Sequence, residues 1–524
     1  MLNTVERREK LESIIKQMDA FFQPKSVAVI GASKKIDKAG HVIFKNFVEN
    51  KRRGVFKGEL YAVNPTEDII LNYPSYPSLR KIVGDIELIV IVIPAQSIPQ
   101  VMEDATAKGV KAAVIVSAGF SEIGNKKLED QVVAIAKKAG IRVLGPNCLG
   151  VYDTETGVDM LFLPETKTLL TGDEMVATPR PMIGHLAIVT QSGAFGASAL
   201  DYLTGRQMGI SKFVSFGNKC DVNEAETLQY LLHDERTWVI LLYAEAIETG
   251  REFMKVAKEV TKKKPIIALK SGRSQAGARA AASHTGAIAG SDKIYDAAFA
   301  QTGIVRAQNM EEFFDLGKIF AFQPPASGKN IGIVTDAGGP GVMAVDEIEW
   351  KGLTVSRFSD ELMQKFERLK EKGYLPKFAT NQNPVDVTGS ANSEMFETVT
   401  KILFDASEID GILVLGLHHT PGLHEDFVDR IANLARQYLK PIVACDIGET
   451  EMALYVRSRF DKLGVPSYGS PEDAARSIAA LSWYGEYLKK QNCFEDYVKI
   501  FMKRQGRKLA KPEDKLLAEL HRPL

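Results

Sequence analysis

The fold is decided by the stretch Ile188-Val189-Thr190-Gln191-Ser192-Gly193-Ala194-Phe195-Gly196. Its β-branched residues predict a buried strand, and the Ser-Gly step that follows predicts a sharp turn into a helix. The backbone N–H groups and the dipole at such a helix start face any anion placed there. We therefore expect Ser192 and Gly193 to hold a phosphate group.

The same arrangement recurs later in the chain. Positions 188–201 and 333–346 align without a gap and agree at seven of fourteen places. This internal repeat predicts two related α/β units, each with one helix N-terminus. In the second copy, Gly339 and Gly341 are the predicted phosphate-holding residues.

A single histidine, His284, lies in a run of small residues from Ala281 to Gly290. Small and flexible neighbours predict a loop that presents the imidazole without steric cover, and histidine is one of the side chains that form covalent intermediates. The alternative for a lone histidine is a solvent-facing loop residue. The two predicted phosphate sites favour the first interpretation, a phosphohistidine.

Ser192 also suits a hydrolase, because it lies between a predicted strand and a predicted helix. A nucleophile elbow has glycine two residues before and two residues after its serine. The chain has Thr190 and Ala194 there, which argues against a hydrolase.

Composition is typical of a metabolic enzyme. The 524 residues predict about three or four domains. Lys plus Arg and Asp plus Glu number 66 each, so no basic excess favours nucleic acid or an anionic membrane. Four scattered cysteines argue against disulfides and a zinc site, and no metal site is expected. The N-terminus has no apolar signal core, so we expect a cytoplasmic protein without membrane contact.

Strands alternate with helical stretches along the chain, which is typical of parallel, doubly wound α/β sheets. Polar or Pro-rich connections at 154–181 and 323–328 separate three such units. The predicted domains are therefore 1–153, 154–325 and 326–480, followed by a charged helical extension, 481–524.

The first unit departs from the dinucleotide-binding fingerprint. Ser33 and Ile36 stand where glycines are required, and Asn64 stands where an acidic residue would bind the NAD ribose. NAD is therefore disfavoured. A different adenine-containing ligand with phosphates, such as coenzyme A, can rest its pyrophosphate on the turn at Gly31 and Ser33 with Lys38 nearby. Arg52 and Arg53 are further possible charge partners, and all three basic residues are equally consistent with a solvated surface.

Over roughly residues 20 to 480, the chain resembles the alpha subunits of nucleoside-diphosphate-forming acyl-CoA synthetases, such as ADP-forming acetate–CoA ligase, which are relatives of succinyl-CoA synthetase. The resemblance rests on an ordered series of motifs: Ser26-Val-Ala-Val-Ile-Gly-Ala-Ser33, Val63-Asn-Pro65, Gly145-Pro-Asn-Cys-Leu-Gly150, Thr190-Gln-Ser-Gly-Ala194, Ser215-Phe-Gly-Asn-Lys219, Ser283-His-Thr-Gly-Ala287, Thr335-Asp-Ala-Gly-Gly-Pro-Gly341 and Asn383-Pro-Val-Asp-Val-Thr388. It implies a Rossmann-like CoA-binding domain followed by two flavodoxin-like ligase domains.

The resemblance also implies a reaction and roles for residues. Acyl-CoA, phosphate and ADP would give acid, CoA and ATP reversibly, through an acyl phosphate and a phosphohistidine at His284. Glu245 would orient that histidine, because a carboxylate bonded to one ring nitrogen leaves the other free to attack. Asn218 would lie near the acyl group. The residues expected to contact CoA are Gly31, Ser33, Lys38, Asn64, Pro65, Pro94 and Asn147.

Two features depart from the family or are missing. The run Lys34-Lys35-Ile36-Asp37-Lys38 lacks the Pro or Gly that the family often has before its lysine. An ATP-grasp domain of roughly 200 residues has no room in the chain. We therefore expect a separate ATP-grasp beta subunit that binds ADP or ATP with Mg²⁺, in an α2β2 heterotetramer. The alternatives are a CoA-sensing regulatory module without catalysis and, less favoured, a Rossmann oxidoreductase.

Overall fold

The computed structural model describes residues 4–285 and 291–506. The chain divides into two compact units, Met1–Gln308 (unit 1) and Asn309–Leu524 (unit 2). Within the described residues, no helix combines the length and apolar character needed to cross a bilayer.

Unit 1 begins with a Rossmann-like sheet. Its strands are β1 (Ser26–Ile30), β2 (Glu59–Val63), β3 (Ile69–Ile70), β4 (Tyr73–Tyr76), β5 (Leu88–Ile91), β6 (Ala112–Ile115) and β7 (Arg142–Leu144), and its helices are α1 (Thr4–Phe22), α2 (Ala39–Arg52), α3 (Ile98–Lys108) and α4 (Lys126–Ala139). The strand order is β3-β4-β2-β1-β5-β6-β7, parallel except for the β3–β4 pair. β1, β5 and β6 are buried throughout, as their continuous apolar runs predict for parallel strands covered on both faces.

The second sheet of unit 1 carries the first copy of the repeat. Its elements are β8 (Gly150–Asp153), β9 (Thr166–Thr168), β10 (Glu174–Val176), β11 (Ile183–Thr190), β12 (Ile210–Ser215), β13 (Val239–Ala244), β14 (Ile266–Lys270), β15 (Val305–Ala307), α5 (Gly193–Gly205), α6 (Glu224–His233), α7 (Gly250–Val260), α8 (Gln275–Thr285) and α9 (Asp292–Thr302). The order is β15-β14-β13-β11-β12-β8, with β8 antiparallel to β12, and β9 and β10 form a separate hairpin. β11 thus lies inside the sheet, and its carboxyl end leads directly into α5.

Unit 2 repeats the architecture. Its elements are α10 (Met310–Phe322), β16 (Ile331–Thr335), α11 (Gly338–Trp350), α12 (Asp360–Glu371), β17 (Val385–Asp386), α13 (Ser393–Asp405), β18 (Gly411–Leu415), α14 (Asp426–Ala435), β19 (Ile442–Cys445), α15 (Glu451–Lys462), β20 (Ser467–Tyr468), α16 (Pro471–Lys490) and α17 (Phe494–Gln505). The sheet is parallel, in the order β17-β16-β18-β19-β20.

Two elements bear on the domain boundaries drawn from the sequence. α10 belongs to unit 2, whose first residue is Asn309, and α16 continues through residue 480. The division at 153, 325 and 480 stays a prediction. Residues 507–524 of the expected extension lie outside the described residues.

Candidate active site

The turn between β11 and α5 is held by a threonine hydroxyl. Thr190 Oγ1 donates to the carbonyl of Ser192 (2.9 Å) and accepts from the Ser192 N–H (3.2 Å). Ser192 caps α5, because its hydroxyl accepts from the N–H of Phe195 (3.3 Å). α5 therefore begins at Gly193, as the sequence predicts, with its first N–H groups at the carboxyl edge of the sheet.

The helix approaches the sheet closely at Gly196. A Cβ atom there would lie 2.7 Å from Phe213 Cζ and 3.0 Å from Thr190 Cγ2. Both distances are below ordinary van der Waals contact, so only glycine lets α5 start at this depth.

A cavity of about 640 Å³ lies in unit 1 in front of this turn. It brings together five of the predicted site residues: Ser192, Gly193, Glu245, Asn147 and Asn218. Leu149, Phe162 and Leu163 add apolar surface. A helix start, a carboxylate and an apolar wall therefore share one cavity, which is typical of a small-molecule site.

Glu245 follows β13 and is 8% exposed. The backbone N–H groups of Glu245 and Ala246 both donate to Gln191 Oε1, the second at 2.9 Å. Lys219 Nζ binds the carbonyl of Ala246 (2.7 Å) and Glu224 (2.8 Å). The loop that carries Glu245 is thus fixed to the α5 turn on one side and to a buried ion pair on the other.

Asn218 is held by acidic residues that the sequence analysis missed. Its Nδ2 donates to Glu122 (2.6 Å), Glu129 (3.0 Å) and Ser121 (3.1 Å). Burial alone would raise the pKa of Glu122, but hydrogen bonds from Asn218 and from backbone N–H groups outweigh burial and lower it. The donors of Asn218 are therefore committed to this acidic group, while Asn147 Nδ2 approaches its Oδ1 (3.4 Å). The run Gly119-Phe120-Ser121-Glu122 after β6 is the sequence feature that could have indicated this acidic group.

The predicted CoA turn has the geometry that its glycine requires. Gly31 has φ +94°, and a Cβ there would lie 2.4 Å from the carbonyl oxygen of Val92. Asn64 Nδ2 donates to the carbonyl of Ala32 (2.7 Å), which joins the ends of β1 and β2. Ser33 Oγ accepts from the N–H of Lys35 (3.1 Å).

The remaining CoA-site residues are placed as follows. Asn147 lies in a left-handed conformation (φ +59°), and its N–H donates to the Ser117 carbonyl (3.0 Å). Pro94 precedes a short 3-10 helix, and Lys38 precedes α2 with its ammonium group 3.7 Å from Asp37. Of the predicted CoA set, Asn147 lines the cavity. Gly31, Ser33, Lys38, Asn64, Pro65 and Pro94 do not, although Val92, against which Gly31 packs, does.

His284 lies in the last turn of α8, which extends to Thr285. The expectation of a loop for residues 281–285 is therefore wrong. The reason is helix propensity: alanine, the strongest helix former, dominates the preceding residues. Ser274 Oγ accepts from the Gly277 N–H (3.0 Å) near the start of the helix. Residues 286–290 of the predicted loop lie outside the described residues.

The second copy of the turn has the same hydrogen bonds. Thr335 Oγ1 donates to the carbonyl of Ala337 (3.0 Å) and accepts from its N–H (3.0 Å). A Cβ on Gly341 would lie 3.2 Å from Thr335 Cγ2, whereas one on Gly339 would meet no atom within 4 Å. Gly341 thus allows α11 to pack closely against Thr335. Gly339 has no side chain that could cover the start of α11.

Three family models cover most of the chain. Residues 25–154 match the CoA binding domain, 183–320 the succinyl-CoA ligase like flavodoxin domain, and 331–483 the Ligase-CoA domain. The subunit alpha of ADP-forming acetate–CoA ligase I from Pyrococcus furiosus is 38% identical over 483 residues, which are 90% of this chain and 99% of that one. The chain belongs to the ADP-forming acetate–CoA ligase family.

Two further relatives support this family assignment. ADP-forming acetate–CoA ligase I of Archaeoglobus fulgidus is 38% identical over 91% of this chain, which spans 65% of that relative's length. The dinucleotide-forming acetyl-coenzyme A synthetase 1 of Candidatus Korarchaeum cryptofilum, solved with phosphate and ADP, is 32% identical. It superposes with a TM-score of 0.79 over 93% of this chain and 98% of that one.

The family assignment settles three predictions. The resemblance, the α/β fold class with a CoA-binding domain and flavodoxin-like ligase domains, and the ligase alpha subunit are confirmed. In residues 4–285 and 291–506, no group of three or more His, Cys, Asp or Glu side chains is arranged to hold a metal ion. The roles of individual site residues stay predictions.

Proposed function

We propose that this ligase subunit converts acyl-CoA and phosphate into acid, CoA and a phosphohistidine, from which a partner subunit makes ATP. One observation carries the proposal: the unit 1 cavity places the N-terminus of α5, Glu245 and Asn147 around one space. In this proposal, a phosphate ion binds at Ser192 and Gly193. Its attack on the thioester depends on positioning by the helix end.

The proposal divides the chemical steps among the predicted residues. Phosphate displaces the CoA thiolate from the acyl carbon and forms an acyl phosphate. His284 then attacks the phosphorus and the carboxylate leaves. Glu245, held by Gln191 through two backbone N–H groups, orients the imidazole. The helix N-termini of the two repeats, at Ser192 and Gly193 and at Gly339 and Gly341, hold phosphate oxygens.

For the other substrates, the proposal follows the turns described above. Coenzyme A binds along Gly31, Ser33, Lys38, Asn64, Pro65, Pro94 and Asn147, and the acyl group lies near Asn218. The exposed Lys38, after the glycine turn at Gly31, supports an anionic ligand there. The predicted division at 153 assigns the CoA residues to the first domain, whereas the phosphate cavity takes Asn147 from that domain and Ser192, Gly193 and Glu245 from the next.

Nucleotide chemistry belongs, in this proposal, to an ATP-grasp beta subunit with Mg²⁺, in an α2β2 complex in the cytoplasm. The Pyrococcus relatives are named as alpha subunits, which supports a separate partner. Free cysteines, of which Cys148 and Cys445 are buried, suit a reducing compartment. The family assignment favours catalysis over the CoA-sensing alternative.

The test is a half-reaction. The isolated chain, given acetyl-CoA or another acyl-CoA and radiolabelled phosphate, should acquire an acid-labile, base-stable label on His284. His284→Ala should lose this label while binding CoA as before, and ADP should discharge the wild-type label only when the beta subunit is present. Steady ATP synthesis by the pure chain would contradict the two-subunit proposal. No label with any acyl-CoA would favour the CoA-sensing module.

A further inference from the structure

A buried aspartate–histidine pair lies at the carboxyl edge of the unit 2 sheet. His418 follows β18, and Asp446 follows β19. His418 Nδ1–H donates to Asp446 Oδ1 (2.8 Å), and the backbone N–H of His418 approaches the same oxygen (3.3 Å). The two side chains are 7% and 1% exposed. A carboxylate that accepts from Nδ1 fixes the tautomer, so that Nε2 carries the lone pair.

The pair lies beside the start of α11. Asp336, two residues before that helix, accepts from the N–H of Leu417 (3.1 Å) and the hydroxyl of Thr420 (2.7 Å). The loop that contains His418 is therefore fastened to the turn whose N–H groups are predicted to hold a phosphate. An anion bound at α11 would lie at the same edge of the sheet as the imidazole.

One hydroxyl and one glycine face the Nε2 side of the His418 ring. Its contact is the hydroxyl of Thr450, an exposed residue, at 3.5 Å, which is the outer limit of a hydrogen bond. Gly448, with φ +141°, lies against the ring, and a Cβ there would stand 3.2 Å from His418 Cε1. The His418 side chain is 7% exposed, and its ring also lies against that of His419, with centroids 3.9 Å apart. An incoming group would therefore reach Nε2 from the side of Gly448 and Thr450.

Asp446 is hydrogen-bonded through one of its two carboxyl oxygens. Among the described residues its Oδ2 has no hydrogen-bond partner. Arg457 donates to the backbone carbonyls of Asp446 (2.8 Å) and Gly448, not to this oxygen. Burial raises the pKa of Asp446, and the hydrogen bonds from His418 oppose that effect. The carboxylate therefore depends on His418 as its side-chain donor.

In the internal repeat, the position of His418 in unit 2 corresponds closely to that of Glu245 in unit 1. Sheet register aligns Thr190 with Tyr243 and Thr335 with Leu415. Glu245 lies two residues beyond Tyr243, and His418 lies three residues beyond Leu415. Unit 2 thus carries an imidazole at nearly the same place in the fold at which unit 1 carries its predicted histidine-orienting carboxylate.

We propose that His418 is a second phosphoryl-accepting residue of this chain and that Asp446 is its positioning residue, an inference that rests on the proposed function. The His418 Nε2 lone pair attacks the phosphorus of an acyl phosphate. The N–P bond forms, the P–O bond to the acyl group breaks, and the carboxylate leaves with the electron pair. The Nδ1 proton stays on the ring and is held by Asp446, and no further reactant is needed.

The experiment maps phosphorylation sites on the full chain. Wild-type protein is incubated with acetyl phosphate, quenched at alkaline pH and digested, and the peptides containing His284 and His418 are analysed by mass spectrometry. We expect phosphate on both peptides. His418→Gln should lose the second phosphopeptide and keep the first. Asp446→Asn should slow its formation by about tenfold or more and shift its pH profile.

His424→Gln is the matched control, since His424 is an exposed histidine of the same loop with no described contact to His418 or Asp446; both phosphopeptides should persist. The wild-type map needs no variant to fold, and thermal melting checks each variant. Phosphate on the His284 peptide alone would overturn the inference and leave the proposed function standing. Phosphate on His418 alone would support the inference and contradict the role of His284. Phosphate on neither peptide would overturn both.

Discussion

The two strand–turn–helix repeats share a scaffold and differ in chemistry. In both, a threonine hydroxyl closes the turn through the same pair of hydrogen bonds. The intervening residues differ: Gln191 and Ser192 in unit 1, Asp336 and Ala337 in unit 2. The comparison teaches that the retained positions build the turn, whereas the divergent ones set charge and capping at each helix end.

The largest expected effect is on the phosphorylation rate and comes from Glu245, a carboxylate that unit 2 lacks at the matching position. Glu245→Gln keeps the shape of the side chain but cannot stabilise charge on an imidazole, so acyl-CoA-dependent phosphorylation should slow by about 100-fold or more. Single-turnover labelling with radiolabelled phosphate measures this. Glu248→Gln, an exposed carboxylate on the same cavity, should change the rate little. Equal rates for Glu245→Gln and wild type would remove the orienting role.

Gly196 and Gly341 occupy equivalent positions but differ in the room around them. Gly196→Ala places a methyl 2.7 Å from a buried ring, and Gly341→Ala places one 3.2 Å from a threonine methyl. We expect Gly196→Ala to destabilise unit 1 by about 1–3 kcal/mol through overpacking. Gly341→Ala should cost less, because its contact is longer and the gain in helix propensity, up to about 1 kcal/mol at either position, offsets more of it.

Urea unfolding followed by probes in each unit distinguishes these changes. Gly339→Ala is the control, since its methyl would meet nothing within 4 Å. A greater loss of stability for Gly341→Ala than for Gly196→Ala would mean that the two helices are not packed as described.

The two threonine hydroxyls should contribute equally to the free energy of unfolding. Thr190→Val and Thr335→Val each remove a donor and an acceptor from a buried turn, and each should cost about 1–2 kcal/mol. Both threonines are at most 1% exposed, so solvent cannot replace the lost bonds. Matched denaturation curves test the equivalence. A negligible cost at either position would show that its turn is held by other contacts.

The smallest expected effect is on the pH dependence of stability and comes from Asp336. Burial raises the pKa of Asp336, and the hydrogen bonds from Thr420 and Leu417 only partly oppose it. Its folded pKa thus lies above the unfolded value of about 3.9, so its stabilising contribution is full below that value and is lost as pH rises through the folded pKa. Asp336→Asn, which mimics the neutral Gln191, should flatten this decline. Parallel curves for variant and wild type between pH 4 and about 7 would contradict the shift.

Much of this molecule was predictable. The continuous apolar strands, the repeat and the glycine at Gly31 follow from local residue types, and the motifs identified the family. The loop expected around His284 was wrong at residues 281–285, because alanine-rich sequence favours helix over the loop that its small residues suggested. The acidic group around Asn218 was missed, because Glu122 and Asn218 lie 96 residues apart and no local pattern joins them.

The turns and helix starts follow from local sequence, since hydroxyl caps, glycines and β-branched strands act over a few residues. Which side chains meet at the sheet edges depends instead on strand order. Strand order brings the end of β13 next to Gln191, and the end of β18 next to Asp446, 28 residues from His418. Parallel strands gather their carboxyl ends at one edge whatever their separation in the chain, and the pairs formed there are a property of the fold.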